Sequence, residues 1–411
     1  MKKNSNKQLT TMKCVAIVIC LAVATMLRAQ NTVDFKVTQN SDNSILLTLE
    51  TIHILDSISE MIWPGWNTSN LTYFMVEKEG CLILINPYFP VLDDFKKYNK
   101  FSEYGHSVYI REKNNSEYKY SQTNSVKIGG KNYSASNTYA FPSPFNVYYL
   151  VATNLSSYNS FPDTLHNRIV NMLHSPEYHI SVQIHEGFHV FQKPKIMQLT
   201  PSNDPLFYFR PKIMAYSYIE GMLLLSALNT DDKEEFLKIV HQFISIRKEK
   251  NKHLFGRKAK EEIGEEFLEG TAKYVQTMSQ VLLKELSYSP QIEQLKSINC
   301  NFNNVKDFQL YDSLEFMASI NHYNLDGFYG KCYSYGQAQA HILDKLCGDI
   351  WKSELMNSKL LLWDLIVQYS DYDKKNAPAV KDIKIEFEFQ RLVKEVKKMD
   401  KKSGYGVISL K

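Results

Sequence analysis

The apolar pattern of this 411-residue chain changes period near residue 160, from short alternating runs to long helical repeats. Strands gathered in one stretch and helices in another point to an α+β fold. Between Asn31 and Leu155 the runs at 34–37, 44–49, 73–76 and 82–85 read as strands, and 148–152 as a further one. Turn signals separate them at Trp63-Pro64-Gly65-Trp66, Asn86-Pro87 and Gly129-Gly130. Beyond Asp163 the spacing predicts helices over 214–228, over 236–247 after an Asp231-Asp232 start, over 258–286 with Gly264 or Gly270 as a bend, and from Tyr333 to Asp349. Near the end Ile383, Ile385, Phe387 and Phe389 alternate as a strand would, but 381–399 suits a charged helix better.

The N-terminus reads as an address rather than as structure. Lys2, Lys3, Lys7 and Lys13 precede an apolar run over 14–27 and then Arg28-Ala29-Gln30, the layout of a secretory signal cleaved after Ala29. That divides the chain into a signal peptide over 1–29, a β-rich portion over 30–155 and a mostly helical portion over 156–411. The run is short of the roughly twenty residues that cross a bilayer, so no integral membrane span is expected after signal removal. The expected location is the periplasm, the cell envelope or the medium. Cys81, Cys300, Cys332 and Cys347 show no CxxC spacing, which argues against a cysteine metal site and leaves room for one or two disulfides. The formal charge of +4 is spread without basic runs interleaved with aromatics, so no nucleic-acid partner is expected.

One segment carries chemistry. His185-Glu186-Gly187-Phe188-His189 is an HExxH pentapeptide inside a helical pattern. Two histidines four apart share a helix face and can reach one ion, with the Glu beside its bound water. Ser175-Pro176-Glu177 supplies the helix start and Pro194 the stop, while Ile180, Ile184, Phe188 and Phe191 form an apolar stripe on a neighbouring face. Catalytic zinc takes three protein ligands and an open position, so a third ligand is expected downstream.

The stronger candidate for that ligand is Glu269, within Glu269-Gly270-Thr271-Ala272-Lys273-Tyr274. HExxH followed by a helix bearing E-G-x-A-x-Y resembles the gluzincin zinc metallopeptidases. The resemblance covers these two motifs, at most residues 175–280, and implies a thermolysin-like catalytic portion. It makes His185, His189 and Glu269 the zinc ligands and Glu186 the general base, with Gly270 and Ala272 letting the two motif helices approach. Glu269 follows His189 at a longer distance than in the best-known gluzincins, which the helices over 214–247 account for. Glu220 in Tyr218-Ile219-Glu220-Gly221 is the rival third ligand, set beside an apolar run over 222–225. Glu265 could orient a ligand histidine; a solvated face is the expectation for most of Glu261, Glu262, Glu265 and Glu266.

The function implied is zinc-dependent hydrolysis of peptide bonds in a peptide or protein substrate, by metal-bound water activated by Glu186. Tyr274, His322, Tyr333 and Tyr335 are the candidates for a donor to the oxyanion. The alternative is a noncatalytic envelope binding protein that keeps a structural or vestigial zinc site. No GxSxG, GxxxxGK[ST] or GxGxxG motif is present, so serine-hydrolase and nucleotide-dependent chemistry lack a site.

Overall fold

The computed structural model describes residues 37, 39–68, 71–76, 81–87, 95–112, 125–128, 131–134, 139–142, 148–152, 176–196, 210–254, 256–283, 289 and 327–402. The expected signal peptide, the run at 34–36, Gly129-Gly130, Cys300 and His322 lie outside them. The chain divides into two units: one of residues 1–49 and 70–157, the other of 50–69 and 158–411. The described residues are mostly helical with a small sheet, an α+β composition.

The first surprise is α1, Gln39–Ile62. The run at 44–49, expected as a strand, lies inside this helix. Ile45, Leu46, Leu47 and Leu49 are buried, as are Ile52, Leu55, Ile58 and Ile62 farther along, and so are the polar Thr48, Glu50 and Thr51. A helix covered on nearly every side carries an unbroken apolar run, and such a run has no period by which a buried strand can be told from it.

In the first unit, β1 (Thr72–Val76), β2 (Cys81–Ile85), β3 (Lys96–Lys97), β4 (Val108–Glu112), β7 (Tyr139–Pro142) and β8 (Tyr148–Ala152) form one sheet in the order β3-β4-β2-β1-β8-β7. Neighbours are antiparallel except β1 and β8, which pair parallel with Phe74 opposite Val151. A separate hairpin joins β5 (Ser125–Ile128) and β6 (Lys131–Ser134). Tyr73, Ile83, Ile85, Val108 and Ile110 are buried in this unit. Asn86 closes the end of β2 with φ 52, its amide donating to the Ser107 carbonyl at 2.8 Å. An asparagine tolerates that left-handed backbone better than most residues.

The second unit is built of helices: α2 (Pro176–Ile196), α3 (Pro211–Asn229), α4 (Lys233–His253), α5 (Gly256–Leu283), α6 (Gly327–Cys347), α7 (Ile350–Asn357), α8 (Leu362–Tyr369), α9 (Val380–Glu386) and α10 (Phe389–Lys402). α5 lies between α2 and α6, and α3 packs on α4, α6 and α10. Their starts are chemically marked: Pro211 opens α3, and the Asp232 carboxylate accepts from Glu235 N at 2.8 Å to cap α4. α2 runs two residues past Pro194, so the proline falls in its last turn instead of ending it. α5 passes Gly264 and Gly270 as one helix, and the C-terminal segment is two helices parted at Glu388, where φ is 47.

Ile180, Ile184 and Phe188 are the buried stripe of α2. Phe188 sits against Trp63 and Trp66 at 4.8 and 5.1 Å between centroids, and Trp63 continues to Trp351 at 5.1 Å. The turn at 63–66 allows this, with Gly65 at φ 82. The helix carrying the two histidines is thereby fixed by an aromatic cluster. Cys81, Cys332 and Cys347 are free thiols. Among the described residues no helix is long and apolar enough to cross a membrane.

Candidate metal centre

Three side chains from two helices converge. His185 and His189, one turn apart on α2, present Nε2 to the same carboxylate oxygen of Glu269 on α5, at 3.4 and 3.5 Å. One ligand atom from each of the three lies within 4.8 Å of the others, and this is the group among the described residues that could hold a metal ion. The two rings stand perpendicular with centroids 4.8 Å apart. His189 and Glu269 keep 12 and 17% of their side-chain surface, so the group is reachable from solvent.

Glu220, the rival ligand, is elsewhere. It is wholly buried and accepts from Arg247 Nε at 2.8 Å and Lys250 Nζ at 2.5 Å. Arg247 also grips Glu266 through Nη1 at 2.7 Å and Nη2 at 2.9 Å, and Gln339 Nε2 donates to the same carboxylate at 2.7 Å. Lys250 reaches Glu262 at 2.8 Å, and Lys331 pairs with Glu262 too. Three cations and three carboxylates from α3, α4, α5 and α6 thus share one buried cluster. The expected solvated face is corrected accordingly: Glu261, Glu262 and Glu266 are at most 4% exposed. Burial alone would raise the Glu262 pKa, but the charges of Lys250, Lys331 and Arg247 drive it well below the usual carboxylate range.

The site has its own electrostatics. Burial pushes the His185 pKa down to about 4, against the pull of Glu269. Burial also works against a charged His189, but the Glu269 carboxylate, with Glu186 adding to its field, raises it to about 9. Glu269 in turn is held well below its ordinary value, its burial outweighed by His189 and by hydrogen bonds from both histidines. The shared carboxylate thus raises His189, while burial holds His185 down.

Two further residues complete the surroundings. Tyr333 on α6 stacks on His185 with centroids 5.5 Å apart and planes at 15°, and burial together with the nearby Glu269 carboxylate raises the pKa of its hydroxyl. Of the four residues considered as oxyanion donors, it alone among the described residues stands at the group. The Tyr335 hydroxyl donates to the Ser217 carbonyl at 2.5 Å, and Tyr274 belongs to the aromatic cluster with Trp63 and Trp351. Gln192, one turn beyond His189, was not singled out from sequence. Its Oε1 meets His189 Nδ1 at 2.7 Å, and its Nε2 lies 3.2 Å from the Leu268 carbonyl and 2.5 Å from Thr271 Oγ1. The i, i+3 spacing from His189 was the available signal. The partner of His189 Nδ1 is therefore Gln192. Gly270 faces α6 at Gly336 and not α2, so it does not serve the approach of the two motif helices.

Comparison of the chain with protein-family models, with curated proteins and with solved structures found no match.

Proposed function

We propose that the protein is an exported zinc metallopeptidase of the gluzincin type, with a thermolysin-like helical portion and a peptide or protein as substrate. The convergence of His185, His189 and Glu269 within 4.8 Å is the observation that carries the reading. The donor set suits zinc: two imidazole nitrogens and a carboxylate, three protein ligands that leave a position for substrate or water. Bound there, zinc would supply a Lewis acid for the scissile carbonyl and make water more acidic.

The chain's own groups would do the rest. Glu186, on the same helix turn and near enough to act electrostatically on His189 and Tyr333, takes the proton of the attacking water and returns it to the leaving amine. We assign the Tyr333 hydroxyl as the donor that meets the oxyanion. Export is supported by the basic and then apolar N-terminus.

The test is cleavage of a mixed peptide library followed by mass spectrometry. The parent should cut, lose activity to a chelator and regain it with zinc. Glu186→Gln should keep zinc and lose about 10²–10⁴-fold in rate. A zinc-loaded parent that cuts nothing would favour the noncatalytic binding protein instead.

A further inference from the structure

The orientation of the Gln192 amide is decided by its surroundings. Its Nε2 faces three oxygens: the carbonyls of Phe267 and Leu268 at 3.4 and 3.2 Å, and Thr271 Oγ1 at 2.5 Å. Thr271 spends its own hydroxyl proton on the Phe267 carbonyl at 2.7 Å, so toward Gln192 it can only accept. An amide set against acceptors must present its NH₂ there, which leaves Oε1 toward His189. At 2.7 Å that oxygen accepts from Nδ1–H, and the other ring nitrogen, Nε2, is the one that faces Glu269. Gln192 is itself wholly buried, so water does not compete for these bonds. The two histidines are held differently. His185 Nδ1 is buried with no hydrogen-bond partner among the described residues, and Tyr333 stacks on that ring.

We propose that Gln192 is a positioning residue: it fixes the His189 ring with Nε2 directed to the metal position and ties it to the turn of α5 that carries Glu269. The proposal rests on the metal reading above. In effect the two halves of the ligand set are joined by one side chain before any ion arrives. Partners of this kind are worth about 10–100-fold in metal affinity.

Two measurements test it. Gln192→Leu removes both ends of the bridge at similar volume, and in competition with a chromophoric chelator it should bind zinc about 10–100-fold more weakly than the parent. In ¹⁵N-labelled metal-free parent, the His189 Nδ1 proton should exchange slowly with water and give a resonance that Gln192→Leu abolishes. Unchanged affinity in folded Gln192→Leu overturns the proposal, and so does a His189 Nδ1 proton that exchanges freely in the parent. Should Gln192→Leu not fold, Thr271→Val decides: it removes one acceptor of the amide and should weaken zinc binding roughly fivefold, the worth of one neutral hydrogen bond. Parent-like affinity there counts against the proposal. A parent that binds no zinc defeats the metal reading, while the His189 resonance, read without metal, still decides for or against the bridge.

Discussion

A Cβ added to Gly270 would lie 2.2 Å from the Cα of Gly336, so α5 and α6 cross backbone against backbone at this pair. The contact is reciprocal, since a Cβ on Gly336 would lie 2.0 Å from the Glu266 carbonyl oxygen. Main chain cannot swing aside as a flexible side chain can, so any larger residue forces the helices apart. Gly270→Ala should lower stability by about 1–3 kcal/mol. Because Glu269 is the adjacent residue, zinc affinity should fall with it. Urea unfolding and a zinc titration of the same variant check both effects.

Arg247 is the cation that Glu220 and Glu266 share in the helical interior. Arg247→Met leaves two buried carboxylates short of their partner, and breaking a buried pair from one side costs about 3–5 kcal/mol. Lys252→Ala, which removes an exposed partner of Glu249, should unfold at nearly the same denaturant concentration as the parent. Equal losses in the two variants, by chemical denaturation, would show that the cluster is not a stabilising contact.

Zinc binding should be linked to a proton on His189. Its pKa is raised from 6.5 to about 9, so in metal-free protein the protonated ring contributes stability fully present below pH 6.5 and lost as pH rises through about 9. A metal needs the lone pair that this proton occupies. Between those limits, each pH unit gained should tighten zinc about tenfold, with one proton released per ion. Calorimetry in buffers of different ionisation enthalpy measures that proton directly.

Glu50 of α1 offers a second pH test, away from the candidate metal centre. It is fully buried, and burial raises its pKa although Ser289 donates to it and His53 is near. The protonated form therefore suits the folded state. Its stabilisation is fully present below the unfolded pKa, near 4.5, and is lost as pH rises through the raised folded value. Glu50→Gln keeps an acceptor for Ser289 and removes the charge. It should melt higher than the parent at pH 8 and like the parent at pH 4.

The spacing of His185, His189 and Glu269 was legible because each motif is local: a four-residue step on a helix and a short signature around one glutamate. What the same helix does three and seven residues earlier was not. Glu262 and Glu266 look like a solvated face, and their burial depends on Arg247 and Lys250, which approach from another helix, and on Lys331 from a third. Glu220 could be weighed as a ligand for the same reason, since its partner Arg247 lies 27 residues away in sequence. The sheet strands at 72–76, 81–85 and 148–152 were readable from alternation and turns, whereas 44–49 was misread because a helix buried all round erases its own period. Gln192 was within reach by spacing from His189, but glutamine announces no chemistry until its two ends are seen to be occupied.

The most direct measurement is metal content per chain with the coordination sphere read by X-ray absorption, on the parent and on Glu269→Gln. The account predicts about one zinc in the parent with nitrogen and oxygen ligands and no sulfur, and a sharp loss of affinity when the Glu269 charge is removed. A folded parent that takes up no zinc when it is supplied, or a Glu269→Gln variant that holds zinc as tightly as the parent, would contradict it.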